Sequence, residues 1–356
     1  MGIKNLHKLF DKYCPQIYTT VDLKIFAYKR IAIDISLYLF KYKTIFGDSW
    51  LSAFVNLITC LRKNDIHCIF IYDGKSPPEK QQEKDSRKSS REALENKMIS
   101  LEDSLELFYN TNEIDENLKN ICNKPSHRLL KDLQETVFDI SLAEKELKKV
   151  KSQIVNISSE DISLTKTLFN LMEIPFFEAD GEAETLCAHL AISGIIDGVL
   201  SEDTDVLAYG TKIFLTKINV SSGTCVVLLL DEILKELEIS YKQFLDICVM
   251  CGNDYNKNIP RIGFVNSFNL IKEHECIENI SKNTQFDTQV LNYERTRELF
   301  TLPEKVLEKF EYVKNCGKPN FENLMKFLYE NNCHVNFQNM KKAFQSRELT
   351  FSDDAE

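Results

Sequence analysis

Two short apolar runs, Lys29-Arg30-Ile31-Ala32-Ile33-Asp34 and Cys68-Ile69-Phe70-Ile71-Tyr72-Asp73, each stop at an aspartate. Both are partly β-branched and short, as buried strands are. Between them Leu51, Phe54, Val55, Ile58 and Leu61 recur at helical spacing, which predicts a helix over 50–63. Strand, helix and strand in that order form a βαβ unit, and a βαβ unit requires a parallel sheet. Further strands are expected at 197–200 and 226–230. A helix is expected over 182–192, with Asp180-Gly181 as its cap. The expected fold class is α/β, with a mostly parallel central sheet flanked by helices.

The texture changes between 77 and 161, where the chain is charged, nearly free of glycine and helical in character. Such a stretch is ordinarily a solvated helical face or a disordered segment. Lying between two strands of one sheet, it is an insertion. Beyond about 240 the chain reads as mainly helical. The divisions that follow are 1–91 and 161–255 as the two parts of the α/β body, 92–160 as the insertion and 256–356 as a helical region.

Among the 356 residues no run approaches the ~18 consecutive apolar residues of a membrane span, so no membrane is expected. MGIKNLHKLF lacks the order of a signal peptide, and Leu6 stands where a myristoylation pattern needs Ser or Thr. The eleven cysteines form no framework, which points to a reducing, intracellular setting. Cys248 and Cys251 read as two thiols on a buried helix rather than half of a zinc site. A net charge of −10 argues against binding nucleic acid by charge alone. One basic patch exists, with six basic against three acidic residues from 75 to 91.

The acids are more informative. In parallel α/β sheets, sites form outside the carboxyl ends of the strands. Asp34 and Asp73 end the first two runs, Asp203 and Asp205 follow the third, and Glu182 and Glu184 open a helix. Any one of them is ordinarily a cap or turn residue. Several on one edge repel each other, and divalent cations with oxygen ligands, Mg²⁺ or Mn²⁺, relieve that repulsion. Two such ions roughly 3.5–4 Å apart suit phosphoryl chemistry. No P-loop or GxGxxG is present to suggest nucleotide hydrolysis.

In order along the chain stand MGI-x-x-L, IAIDIS, YDGKSPP, ADGEAET, SEDTDV and GNDY followed by IPRIG. These motifs resemble the flap endonuclease family, the structure-specific 5′ nucleases of the xeroderma pigmentosum G type, over nearly the whole chain except about 92–160. The resemblance implies a PIN-like 5′ nuclease fold with a helical arch and a helix–two-turn–helix element. It implies that Asp34, Asp73, Glu182, Glu184, Asp203, Asp205 and Asp254 hold two Mg²⁺ ions, directly or through water. It assigns Lys80 and Arg87 to the scissile phosphate. Seven residues, two helical turns, separate them, so they can face the same way, although a merely solvated face has the same spacing. Phe40 matches an aromatic that stacks on a base, and Gly2 a glycine close to the site. A helix starting near Gly263 can bind a backbone phosphate. Gly263-Phe264-Val265-Asn266 departs from the usual Gly-Pro-Lys of that element, which puts its K⁺ ion in question.

The partner implied is branched or flapped DNA, cut to leave a 5′-phosphate and a 3′-hydroxyl during replication, repair or recombination. Exonuclease action on duplex ends accompanies it. No Q-x-x-[IL]-x-x-[FY][FY] sequence is seen at the C-terminus, so sliding-clamp docking by that route is not expected. Two alternatives stay open: an RNA endonuclease that degrades messenger RNA, and a non-catalytic scaffold that binds junctions.

Overall fold

The computed structural model describes residues 2–125, 136–301 and 313–345. Among these, the strands are β1 (Thr19–Asp22), β2 (Arg30–Asp34), β3 (His67–Tyr72), β4 (Asn123–Pro125), β5 (Thr136–Phe138), β6 (Phe176–Glu178), β7 (Gly198–Leu200), β8 (Ile213–Asn219) and β9 (Thr224–Leu229). Seven form one sheet in the order β1-β9-β8-β7-β2-β3-β6, and β4 pairs with β5 separately. From β8 to β6 the strands are parallel, while β9 and β1 add antiparallel at one edge. The carboxyl ends of β2, β3, β6 and β7 therefore share one edge.

Both faces of this sheet are covered, as parallel sheets require. On β2, Ala32 joins one core cluster while Ile31 and Ile33 join the other. On β3, Ile69 and Ile71 face one way, Cys68, Phe70 and Tyr72 the other. The first face is packed by α1 (Leu6–Tyr13) and by helices that follow β6, described below. The second is packed by α2 (Ile35–Phe46) and α3 (Trp50–Lys63). The stretch Ile35–Lys63 is long and apolar enough to cross a membrane by length and composition, yet 56% of its apolar window is buried inside the fold.

The expected βαβ unit is present, with one addition. Between β2 and β3 lie two helices, α2 as well as the expected α3. Asp34 starts α2 by accepting a hydrogen bond from the Ser36 N–H at 2.9 Å. The other expected strands shift slightly at their ends. Asp197 precedes β7; its N–H donates to the Arg30 carbonyl and its carboxylate accepts from the Arg30 N–H, both at 2.8 Å. Leu230 begins α10 (Leu230–Leu237) rather than ending β9.

The insertion is built on α4 (Gln81–Thr111), α5 (Glu116–Cys122) and α6 (Ser141–Gln153). No residue from 81 to 100 is buried. Further along, Leu105, Leu118, Cys122 and Ala143 form a small core of their own. The chain re-enters the body through α7 (Ser159–Leu171), opened by a reciprocal Ser158–Asp161 capping box. After β6 come α8 (Ala183–Ile192) and the short α9 (Asp205–Ala208), which follows β7. Past α10 the chain is helical: α11 (Tyr241–Cys251), α12 (Phe264–His274), α13 (Ile277–Asn283), α14 (Tyr293–Phe300), α15 (Phe321–Glu330) and α16 (Phe337–Ala343). Cys248 and Cys251 are buried free thiols on α11.

Candidate metal centre

Each acid is placed by a local backbone rule. Asp34 is the last residue of β2 and the N-cap of α2. Asp73 follows β3, and its Oδ1 accepts from the Ala183 N–H at 2.9 Å, so it caps α8 from another strand. That corrects the expected cap: Glu182, not Asp180-Gly181, stands at the N-cap, and it makes no cap hydrogen bond itself. Glu182 is thereby left to face the site, with Glu184 in the first helical turn. After β7, the Ser201 hydroxyl accepts from the Asp203 N–H and Asp203 accepts from the Asp205 N–H, at 3.0 and 3.1 Å. These turns aim both aspartates at the shared edge.

Asp34, Glu182, Glu184, Asp203 and Asp205 are all buried, whereas Asp73 is exposed. Glu184, Asp203 and Asp205 each offer an oxygen within 4.8 Å of the others. Both oxygens of Asp205 are buried without a hydrogen-bond partner. Burial, then the negative charge of Asp203, holds the Asp205 carboxyl well above the usual carboxylate range. Glu184 is raised likewise by burial and by Asp203 and Asp205. Burial also raises Asp203, and burial with the Asp73 charge pushes Asp34 up to about 8. Buried acids lacking partners are costly, and this donor set of carboxylate oxygens fits a hard divalent cation.

Two cations of the chain meet the remaining acids. Lys80 Nζ lies 2.5 Å from Glu182 Oε1, 3.2 Å from Asp254 Oδ2 and 3.9 Å from Glu184 Oε1. Burial alone would lower the ammonium pKa, but Glu184, Glu182 and Asp254 outweigh it and raise the group overall. Arg87 Nη2 donates to the same Asp254 oxygen at 2.9 Å, and its Nε donates to Glu83 at 2.9 Å. Lys80 and Arg87 thus converge, as their spacing predicts.

The motifs match known proteins at this edge. Residues 1–94 match the XPG N-terminal domain and residues 173–254 the XPG I-region. The chain is 32% identical to the "Probable RAD2-like endonuclease 369L" of Invertebrate iridescent virus 6, across 100% of its own length and 94% of that protein. The chain belongs to the XPG/RAD2-like nuclease family. The nuclease is also 28% identical to flap endonuclease 1 of Plasmodium chabaudi chabaudi, over 92% of this chain and 67% of that one. Its fold resembles the catalytic core of Rad2 in complex with DNA substrate, with a TM-score of 0.65 at 18% identity, covering 96% and 98% of the two chains.

The other expected residues of the nuclease scatter. Gly2 lies against the acids: a Cβ there would sit 1.9 Å from Asp203 Oδ1 and 2.7 Å from Asp205 Oδ1. Its φ of +82° also disfavours any side chain. Phe40 lies on α2 and is 44% exposed. Gly263 is the N-cap of α12, as expected, and no acid occupies that helix's first turn.

Sequence reading missed a buried hydroxyl chain behind Glu182. Thr185 donates to the Tyr209 hydroxyl at 2.9 Å, which lies 2.8 Å from that of Tyr255, and Tyr255 donates to Glu182 Oε2. Tyr255 directly follows Asp254 in GNDY, which was an available signal; Tyr209 sits in no motif.

Proposed function

We propose that the chain is a metal-dependent 5′ nuclease that cuts flapped or branched DNA, with 5′→3′ exonuclease action on duplex ends. The observation that carries this reading is the unpaired, buried Asp205 carboxylate within the Glu184–Asp203–Asp205 group, with Lys80 3.9 Å from Glu184 and Arg87 beside Lys80 on Asp254. Glu184, Asp203 and Asp205 would hold one divalent ion, and Asp34 and Asp73 extend the set along the same edge. Two such ions, Mg²⁺ or Mn²⁺, held by these carboxylates would supply positive charge to activate water and stabilise the leaving oxygen. Lys80 and Arg87 pass from their carboxylate partners to the scissile phosphate, where they stabilise developing charge. Tyr255 fixes Glu182 beside them. The similarity to flap endonuclease 1, and a helical insertion rooted directly at Lys80 and Arg87, favour a single strand as the part of the substrate that reaches the acids.

The test is a 5′-labelled double-flap DNA incubated with the protein in Mg²⁺ and in EDTA, beside Asp205→Ala. Discrete cleavage near the flap base that needs both the metal and Asp205 supports the proposal. Binding without cleavage of either a DNA or an RNA flap would leave a scaffold, and preferential cutting of the RNA flap would leave an RNA endonuclease.

A further inference from the structure

Helix α14 lies outside both matched family regions, yet it reaches the site from two directions. The Phe300 ring packs 5.0 Å from that of Tyr209 and 5.5 Å from that of Tyr255, centroid to centroid. Tyr255 is the residue that donates to Glu182. Five residues earlier, Arg295 Nε donates to Glu79 Oε1 at 2.7 Å. Glu79 belongs to the three-residue turn Pro78–Lys80, so its neighbour in the chain is Lys80 itself.

The helix is well placed to act as a fixed post. Its Arg297 forks onto the fully buried Asp246 of α11, at 2.6 and 2.7 Å, and onto Glu278 of α13. The root of α4, by contrast, has nothing buried for its first twenty residues. Besides the ion pairs of Lys80 itself, two tethers hold that root down: Arg87 on Asp254, and Glu79 on Arg295. The first shares its Asp254 oxygen with Lys80, so it is committed to the site. The second is independent of the metal ligands. Glu79–Arg295 is an ion pair at the surface, and such pairs contribute little stability. A half-exposed arginine that stabilises little still fixes where a three-residue turn sits. Glu79 is mostly enclosed, and its hydrogen bond from Arg295 holds its carboxyl below the usual range.

We propose that Arg295, acting through Glu79, is a positioning residue that sets Lys80 against Glu182 and Asp254. For its catalytic consequence, this inference rests on the reading that Lys80 engages the scissile phosphate. The α14 helix thereby couples the C-terminal helical region to the root of the insertion.

The experiment uses the full chain as wild type, Glu79→Gln, Arg295→Ala and the double exchange Glu79→Arg with Arg295→Glu. Reductive methylation with formaldehyde and borane, read at Lys80 by peptide mass spectrometry, reports enclosure of that amine without any need for activity. Both single variants are expected to label Lys80 several times faster, with the exposed Lys24 unchanged as reference, and the double exchange to restore protection. In parallel, flap cleavage is expected to lose about tenfold in kcat with little change in KM, as a displaced group would cause. Lys80 labelling equal to wild type in both single variants overturns the proposal, whatever their activity. A wild type that cuts no flap refutes the nuclease reading alone, because the labelling still decides the role of Arg295.

Discussion

At the scale of single residues, unpaired charge organises this site. Asp205→Asn removes a buried carboxylate with no hydrogen-bond partner, so the metal-free variant is expected to melt above wild type. The same variant should lose the rise in Tm that Mg²⁺ gives the wild type. Lys80→Ala is expected to cost cleavage about 10²–10³-fold, the usual scale for removing a group that stabilises transition-state charge; single-turnover rates on the flap DNA check it. Six of the acids were legible in the sequence because each follows a recognisable strand or opens a recognisable helix, and strand topology does the rest; Asp254, in the loop after α11, was reached only through the GNDY motif. Tyr209, Phe300 and Arg295 were not legible. Their partners lie far away in sequence, and a tyrosine or arginine in a helical segment reads as ordinary packing or solvation.

Among the elements, α14 shows how much a short helix can carry. Its Arg297 compensates Asp246, whose side chain is wholly buried. Arg297→Ala strands that carboxylate and is expected to destabilise the fold by about 3–5 kcal/mol, measured by urea denaturation. The strands β2, β3 and β7 could be read in advance because they are apolar on both faces and end abruptly at polar residues. The edge strand β1 could not, since Thr19–Asp22 is mostly exposed and offers no apolar run. Helix α2 escaped for a different reason. Its aromatic and β-branched residues favour strands by propensity, and the hydrogen bond from Ser36 to Asp34 together with burial of Tyr38, Leu39 and Tyr42 overrides that preference.

For the whole molecule, the clustered acids tie stability to pH. Burial and the neighbouring Asp73 charge push the Asp34 carboxyl up to about 8 in the folded chain, against about 4 in an unfolded one. Between those values the folded state keeps a proton that the unfolded state has released. Its contribution is therefore full below about pH 4 and is lost as pH rises through about 8. Glu184 and Asp205 shift in the same direction. The metal-free protein is expected to melt lower at pH 8 than at pH 5.5, by differential scanning calorimetry. Mg²⁺ should oppose that fall, because a cation that binds only the folded state adds about 2.7 kcal/mol at a hundred times its Kd. The stabilisation should be smaller at pH 5.5, where protons compete for the same oxygens.

The placement of Gly2 bears on how the protein should be produced. No atom can be added at its α-carbon without displacing Asp203, and whatever is fused ahead of it leaves from the doorway of the acidic cluster. An N-terminal affinity handle would be a plug, and a purification scheme built on one could yield a well-folded, inert preparation. Cleavage rates compared before and after protease removal of such a handle, alongside a C-terminally tagged chain, are expected to show the blockade and its release.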